Sequence, residues 1–168
     1  MSLNLRAVRV RLRNNRVLTG RIHITEGQSL STFLSTKLHF LNMTGVKWVG
    51  AEGEEELPHL SVRLEQIIWV EPLETELHLS SAALPSEEAR KIELQVDGGD
   101  QWHRLQVEMN VARETRMSDY LDANPGFIPL WSVRLAGGDE TVDRVALNHR
   151  ALAVIRELED TDPRKRGY

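Results

Sequence analysis

The chain has 168 residues, a formal net charge of −4 at pH 7 and no cysteine. The absence of cysteine excludes disulfide bonds, thiol catalysis and thiolate metal sites. The acidic balance argues against a protein whose main task is to neutralise nucleic-acid phosphates.

The first predicted elements form a strand–turn–strand unit. Residues 7–13 (AVRVRLR) alternate apolar and arginine side chains, as in an antiparallel strand with one solvated face. Asn14-Asn15 predicts a turn because asparagine tolerates positive φ. Residues 17–25 form the return strand, and Gly20 inside it predicts a bulge or bend.

The next segment is predicted to bend and then extend again. Residues 30–36 fit either one helical turn capped by Ser31 or a structured bend. Residues 38–48 alternate once more, with a turn predicted at Thr44-Gly45.

The strand predicted to close this first unit, at 60–70, follows an acidic hairpin tip at 51–57. Its last four residues are apolar on both faces: Ile67, Ile68, Trp69 and Val70. A strand of this kind is covered on both sides, by a core on one side and by a neighbour on the other. A simpler alternative is that it packs under the linker at 75–90.

The second unit repeats this plan. Its strands and bend are predicted in the same order, at 91–96, 102–109, 117–121 (the bend), 127–135 and 142–155. His103 or Arg104 occupies the position expected to correspond to Gly20. The closing strand again ends in residues that are apolar on both faces, including Leu152, Val154 and Ile155.

A direct comparison supports the duplication. Residues 29–48 align without a gap on 116–135, and Phe33, Leu34 and Phe40 fall on Tyr120, Leu121 and Phe127. A repeat of this size decides the architecture. We predict a first domain at 1–74, a linker at 75–90, a second domain at 91–159 and a flexible tail at 160–168.

Three segments of the first unit resemble the Sm and Sm-like family of small barrels. They are Leu12-Arg13-Asn14-Asn15, Gly20-Arg21-Ile22 and the closing segment Val62-Arg63-Leu64-Glu65-Gln66-Ile67-Ile68. The turn at Ser31 and Ser118, followed by phenylalanine, is similar to that of an uncharacterised bacterial family of Sm-like domains. The resemblance implies an all-β chain of two tandem five-stranded Sm-like (SH3-like) antiparallel barrels with short helical turns. It also implies barrels that join edge to edge, as in Sm rings.

The loops that bind RNA in the Sm family are not reproduced here. Leu64 replaces a glycine and Glu65 replaces an asparagine, while the second unit keeps only Asn148. We therefore transfer no RNA-binding residue. The alternative nucleic-acid surface is the basic strand face of Arg9, Arg11, Arg13 and Arg21.

We predict a non-enzymatic module for protein interaction or assembly. No nucleophile elbow surrounds Ser31 or Ser118, and the histidines show no metal-ligand spacing, so we expect no cofactor and no metal.

The predicted interface is formed by the two closing strands, through Ile67, Ile68, Trp69, Val70, Leu152, Val154 and Ile155. The two barrels either pack on each other within the chain, as a pseudo-twofold pair, or pack on neighbouring chains, and a protein partner or self-association is favoured over nucleic acid. No membrane contact is expected, and the location is expected to be cytoplasmic, because no run approaches the ~20 apolar residues of a membrane span.

Overall fold

The computed structural model describes residues 3–50, 55–81 and 89–158. Its helices and strands are β1 (Leu3–Leu12), β2 (Val17–Thr25), α1 (Leu30–Ser35), β3 (Phe40–Trp48), β4 (Leu57–Arg63), β5 (Ile67–Pro72), β6 (Arg90–Asp97), β7 (Trp102–Met109), α2 (Met117–Ala123), β8 (Phe127–Leu135), β9 (Thr141–Asn148) and β10 (Leu152–Glu157). The all-β class predicted from the sequence is confirmed. No helix in the described ranges is long and apolar enough to cross a membrane.

The ten strands form one antiparallel sheet in the order β10-β6-β7-β8-β9-β5-β1-β2-β3-β4. Each half of the sheet has the same internal order, with its closing strand beside its first strand and its fourth strand at the far end. The halves meet where β5 pairs with β9, through Trp69 opposite Leu147 and Val70 opposite Ala146. The sheet is open, so the two closed barrels stay a prediction, whereas the two five-stranded halves are present.

The bend predicted at Gly20 is confirmed, since the β2–β3 register shifts between Thr19 and Arg21. The β7–β8 register shifts at the matching place, around Val107. The counterpart of Gly20 is therefore Val107, and the expectation of His103 or Arg104 is wrong. Glycine is needed in the first half because a Cβ atom at Gly20 would lie 2.9 Å from Met43 Cε.

Both predicted closing strands are interrupted. The sequence predicts continuous strands over 60–70 and 142–155, but 3-10 turns at Leu64–Gln66 and His149–Ala151 divide them into β4 and β5, and into β9 and β10. Leu64 and Ala151 are buried within these turns. The apolar pattern therefore continues through both 3-10 turns, and the sequence does not show that the strands are interrupted there.

The segment after β2 is helical, as in the first of the two alternatives. Ser29 is its N-cap, with a side chain that accepts a hydrogen bond from the Thr32 N–H. The cap predicted at Ser31 is therefore wrong by two residues. The turn predicted at Thr44-Gly45 is also absent, because β3 continues through it with Gly45 at a φ of +57°.

Two apolar cores lie along the sheet, one in each half, and they exchange residues where the halves meet. The first core includes Phe127, Trp131 and Ala146 from the second half. The second core includes Ile68 and Trp69 from the first half. The halves are therefore joined by shared burial as well as by strand pairing.

The first described part of the predicted linker, 75–81, packs with the first half, and the last residue of the linker, Arg90, begins β6. Leu77 and Leu79 are buried in the core of the first half, and the main-chain carbonyls of His78 and Leu79 accept hydrogen bonds from the N–H groups of Leu30 and Ser31. The rest of the linker at 82–88, the start of the acidic tip at 51–54 and the tail at 160–168 lie outside the described residues.

Candidate interaction site at the central junction and the two sheet edges

The central junction is built on β5. All four of its apolar residues are buried, with Ile67 and Val70 in the first core and Ile68 and Trp69 in the second. Both faces of this strand are covered, as the sequence predicts, one by the core of the first half and the other by the core of the second half, and β9 of the second half pairs with its edge. Such two-sided burial requires apolar side chains on both faces.

Asn148, at the end of β9, holds the junction with its side-chain amide. It is 4% exposed, and its Nδ2 donates to the carbonyls of Leu64 and Ile67 at 2.9 and 3.0 Å. Its Oδ1 accepts the Arg150 N–H at 3.1 Å. The amide therefore satisfies two main-chain carbonyls beside a strand end, where an unpaired carbonyl would be costly. In the sequence, Asn148 is interpreted only as the remaining residue of an RNA-binding loop, so its role at the junction is not predicted.

A close approach between α1 and β8 forms a second contact. The Phe127 N–H donates to Ser35 Oγ at 3.0 Å, and Ser35 Oγ donates to the Ser31 carbonyl at 2.7 Å. Gly126 makes this possible, since a Cβ atom there would lie 2.4 Å from Ser35 Oγ. Gly126 therefore allows β8 of the second half to pack closely against α1 of the first half.

Arginines complete the contact between the halves. The guanidinium of Arg144 donates to the carbonyls of Leu77 and Glu74, both at 2.7 Å. Arg13 pairs with Asp97 at 3.2 Å. The guanidinium N–H groups of Arg144 bind carbonyls of the segment that follows β5, so Arg144 holds that segment against the second half.

The predicted interface residues do not come together. Ile67–Val70 lie at the centre of the sheet, whereas β10, with Leu152, Val154 and Ile155, lies at its outer edge. The pseudo-twofold pair is also wrong, because the junction joins the fifth strand of one half to the fourth strand of the other. A twofold contact joins equivalent surfaces.

Each outer edge of the sheet is a strand with one pairing partner among the described residues. β4 pairs only with β3, and β10 only with β6. Exposed apolar side chains lie at these edges, with Val154 on β10 at 41% and Phe40 beside β4 at 44% exposure.

An open cleft of about 640 Å³ lies beside β10 and the start of α2. Its lining includes Arg113, Arg116 and Arg156, together with Arg90. Arg90 is fully engaged, pairing with Glu157 at 3.0 Å and donating to two main-chain carbonyls. The lining also contains Glu114 and Glu157, and Arg156 pairs with Glu93 at 3.1 Å, so the charge of the cleft beside β10 is mixed.

The predicted basic face is present on β1 and β2, but its charges are partly paired. Arg9 contacts Glu71 at 3.5 Å, Arg11 lies 5.0 Å over the Trp69 ring, and Arg13 pairs with Asp97. Arg21 is exposed on the same face, as its pairing opposite Ala7 requires.

Glu71 lies on this same face of the sheet, directly opposite Arg9 on the neighbouring strand. Burial raises the pKa of the Glu71 carboxyl above its ordinary value, while the neighbouring charge of Arg9 opposes the shift. Three of the four arginines are thus held by partners within the chain, which lowers the capacity of the face for phosphate.

The described part of the chain contains no cluster of three or more histidine, aspartate or glutamate side chains able to hold a metal ion. No model of a known protein family matches the chain, and no curated protein or solved structure matches it either.

Proposed function

We propose that the chain is a non-enzymatic assembly module, built from two Sm-like barrels joined edge to edge, that binds protein at its outer sheet edges. The observation that carries the proposal is that β10 and β4 each have one free edge among the described residues, with an exposed apolar side chain on or beside it: Val154 on β10, and Phe40 on β3 next to β4. An unpaired edge presents free main-chain N–H and C=O groups to any strand that can add to it.

The Sm-like part of the proposal is supported by the duplicated five-strand order and by the bend at Gly20 and Val107. The 3-10 turns Leu64–Gln66 and His149–Ala151, which lie directly before the closing strands, add to it. The first of these turns falls within the closing segment Val62–Ile68, which carries part of the resemblance in sequence.

Nucleic-acid binding through Arg9, Arg11, Arg13 and Arg21 is the alternative function. It is less favoured, because three of these side chains have partners within the chain and the net charge is −4. This alternative predicts salt-sensitive binding of single strands that disappears in the Arg9→Glu/Arg11→Glu variant. The ratio of absorbance at the nucleic-acid and protein maxima tests it in the purified protein.

The proposal is tested by blocking each edge with a charge. Val154→Lys acts on β10 and Ser61→Lys on β4, and both positions are exposed, so neither substitution enters a core. Edge lysines oppose strand addition. Gln106→Lys, exposed on the inner strand β7, is the matched control.

The readout is the size of the complex formed by tagged chain in an extract of the native cell, measured by gel filtration. We expect wild type and Gln106→Lys to elute as a complex larger than one chain, and at least one edge variant to lose it. Elution of all four proteins at the mass of a single chain would refute the proposal.

A further inference from the structure

We propose that the open cleft beside β10 and the start of α2 binds a short acidic segment of a partner protein, one that carries two leucines two residues apart. The precedent for this contact lies inside the chain, because the first half of the sheet binds residues 73–79 of its own chain at the corresponding place. The inference goes beyond the proposed function, since the cleft lies beside the edge of β10 and binding there needs no added strand.

In the first half, the segment that follows β5 is held by β1 and by the start of α1. The guanidinium of Arg6 on β1 pairs with the carboxylate of Glu74 at 3.4 Å. The main-chain N–H groups of Leu30 and Ser31 donate to two carbonyls of the segment, at 2.8 and 3.0 Å. These contacts define the surface that receives the segment.

The chain leaves the closing strand of each half at the same place. After β5, the Leu73 N–H donates to the Ala7 carbonyl, and after β10, the Leu158 N–H donates to the Lys91 carbonyl. Leu158 therefore corresponds to Leu73, and Lys91 corresponds to Ala7.

The residues that hold the segment in the first half have counterparts that line the cleft in the second half. These counterparts are Arg90 for Arg6, Met117 for Leu30 and Ser118 for Ser31. The cleft, with a volume of about 640 Å³, therefore occupies the place that residues 73–79 fill in the first half.

Two leucines of the bound segment complete the first core. Leu77 and Leu79 are each 3% exposed, and Leu30 is fully buried in the same core. Met117, which takes the place of Leu30, is 8% exposed and lines the open cleft. A ligand with two leucines in this spacing would bury the apolar surface that Met117 and the neighbouring Ile155 present there.

The continuation of the chain after β10 does not repeat these leucines. With Leu158 in the place of Leu73, the positions of Leu77 and Leu79 fall on Asp162 and Arg164, which lie outside the described residues. A charged side chain is costly to bury where a leucine is needed. The matching leucines must therefore come from another protein.

The free charges of the cleft favour an acidic ligand. Two of its arginines are paired within the chain, Arg90 with Glu157 and Arg156 with Glu93. Among the described residues, Arg113 and Arg116 are exposed and have no ion-pair partner, and Glu114 is the one unpaired acid of the lining. One positive charge is left in excess, which complements glutamates such as those of residues 73–79.

The experiment uses a synthetic peptide with the sequence of residues 73–80, LETELHLS, as the probe. The peptide carries a fluorophore and is titrated with the purified full-length protein, and binding is measured by fluorescence anisotropy. We expect micromolar binding. A peptide with serine in place of both Leu77 and Leu79 should bind about 100-fold more weakly, because it loses two buried apolar side chains.

Variants of the protein test whether the peptide occupies the cleft. Ser118→Phe, at an exposed position of the lining, should abolish binding because the ring fills the cleft. Arg116→Glu should weaken binding by about 3–10-fold, since it reverses a charge that faces an acidic peptide. Arg134→Glu, at an exposed position of β8 outside the lining, is the matched control. Val154→Lys should bind as wild type does, which separates this inference from strand addition at β10.

Methyl NMR of the methionines locates the bound peptide. The Met117 methyl signal should shift when the peptide binds, whereas that of Met43, buried in the first core, should not. Circular dichroism establishes that each variant is folded, and if Ser118→Phe is not, Arg116→Glu and the methyl signals decide.

Four results would each overturn the inference. The first is a wild type that does not bind the peptide, because residues 159–168 or another part of the chain then close the cleft. The second is equal binding of the leucine and serine peptides. The others are a shift of the Met43 signal in place of Met117, and a folded Ser118→Phe protein or Arg116→Glu protein that binds as tightly as wild type.

Discussion

Phe127 and Phe40 occupy the same position in the two halves of the sheet, yet one is 7% and the other 44% exposed. The junction contributes to this difference. Phe127 belongs to the apolar core of the other half, whereas Phe40 lies beside the free edge strand β4.

This relationship predicts unequal effects of the same substitution. Phe127→Ala should lower the free energy of unfolding by about 3–5 kcal/mol, since it removes a buried aromatic ring and leaves a cavity. Phe40→Ala should cost less than about 1 kcal/mol in the isolated chain, the value of an exposed contact with Arg63. Urea unfolding at equilibrium measures both, at a concentration where the chain is monomeric. Equal losses would contradict the assignment of Phe127 to the junction.

Asn148→Leu tests the amide bridge at the junction. The leucine is similar in size but cannot donate, so the carbonyls of Leu64 and Ile67 lose their donor, at a cost of about 1–3 kcal/mol. The matched control is Asn42→Leu, at an exposed position where the amide contacts only Ser61 among the described residues, and it should change stability by less than about 0.5 kcal/mol. An Asn148→Leu protein as stable as the control would show that the bridge does not hold the halves together.

Gly126→Ala tests the close approach of β8 to α1. The new Cβ atom would lie 2.4 Å from Ser35 Oγ and 2.7 Å from Ser35 Cβ, so the two elements must separate, at a cost of about 1–3 kcal/mol. Gly138→Ala is the control, because the nearest atoms to its Cβ lie 3.8 and 3.9 Å away.

A double-mutant cycle assigns the cost of Gly126→Ala to the contact itself. In a Ser35→Gly background both clashing atoms are absent, so Gly126→Ala should cost clearly less than in wild type. The helix-propensity penalty of glycine at position 35 cancels in the cycle. An unchanged cost in that background would mean that Gly126 acts through its own backbone and not through Ser35.

Local features of the fold could be predicted from the sequence because each has a local cause. Alternating side chains specify the strands at 7–13 and 91–96, and Gly20 specifies the bend in β2. The two breaks before β5 and β10 could not be predicted, because Leu64 and Ala151 keep the apolar pattern intact through each 3-10 turn.

No pattern in the sequence shows which strands pair at the junction. The closing strands of the two halves are equally apolar over Ile67–Val70 and 152–155, yet only the first is covered. Their difference depends on pairing between β5 and β9, whose paired residues are 76 and 78 positions apart in the chain, and no local periodicity encodes it. The sequence predicted that a closing strand needs a neighbour, and the structure identifies which one has it.

The buried carboxyl of Glu71 predicts a pH dependence of stability. Its side chain is 19% exposed, and burial raises its pKa above the ordinary value of 4.5, with Arg9 opposing and Asp143 reinforcing the shift. The folded chain therefore holds this proton more tightly than the unfolded chain does. The contribution to stability is complete below pH 4.5 and is lost as the pH rises through the raised pKa.

Glu71→Gln removes the titration, so the stability of the variant relative to wild type should increase between pH 4 and pH 7. Urea unfolding at each pH measures the difference, and Glu65→Gln, at a side chain that is 59% exposed, controls for the loss of a surface charge. A difference between Glu71→Gln and wild type that stays constant over this range would show that Glu71 holds its proton no more tightly in the folded chain.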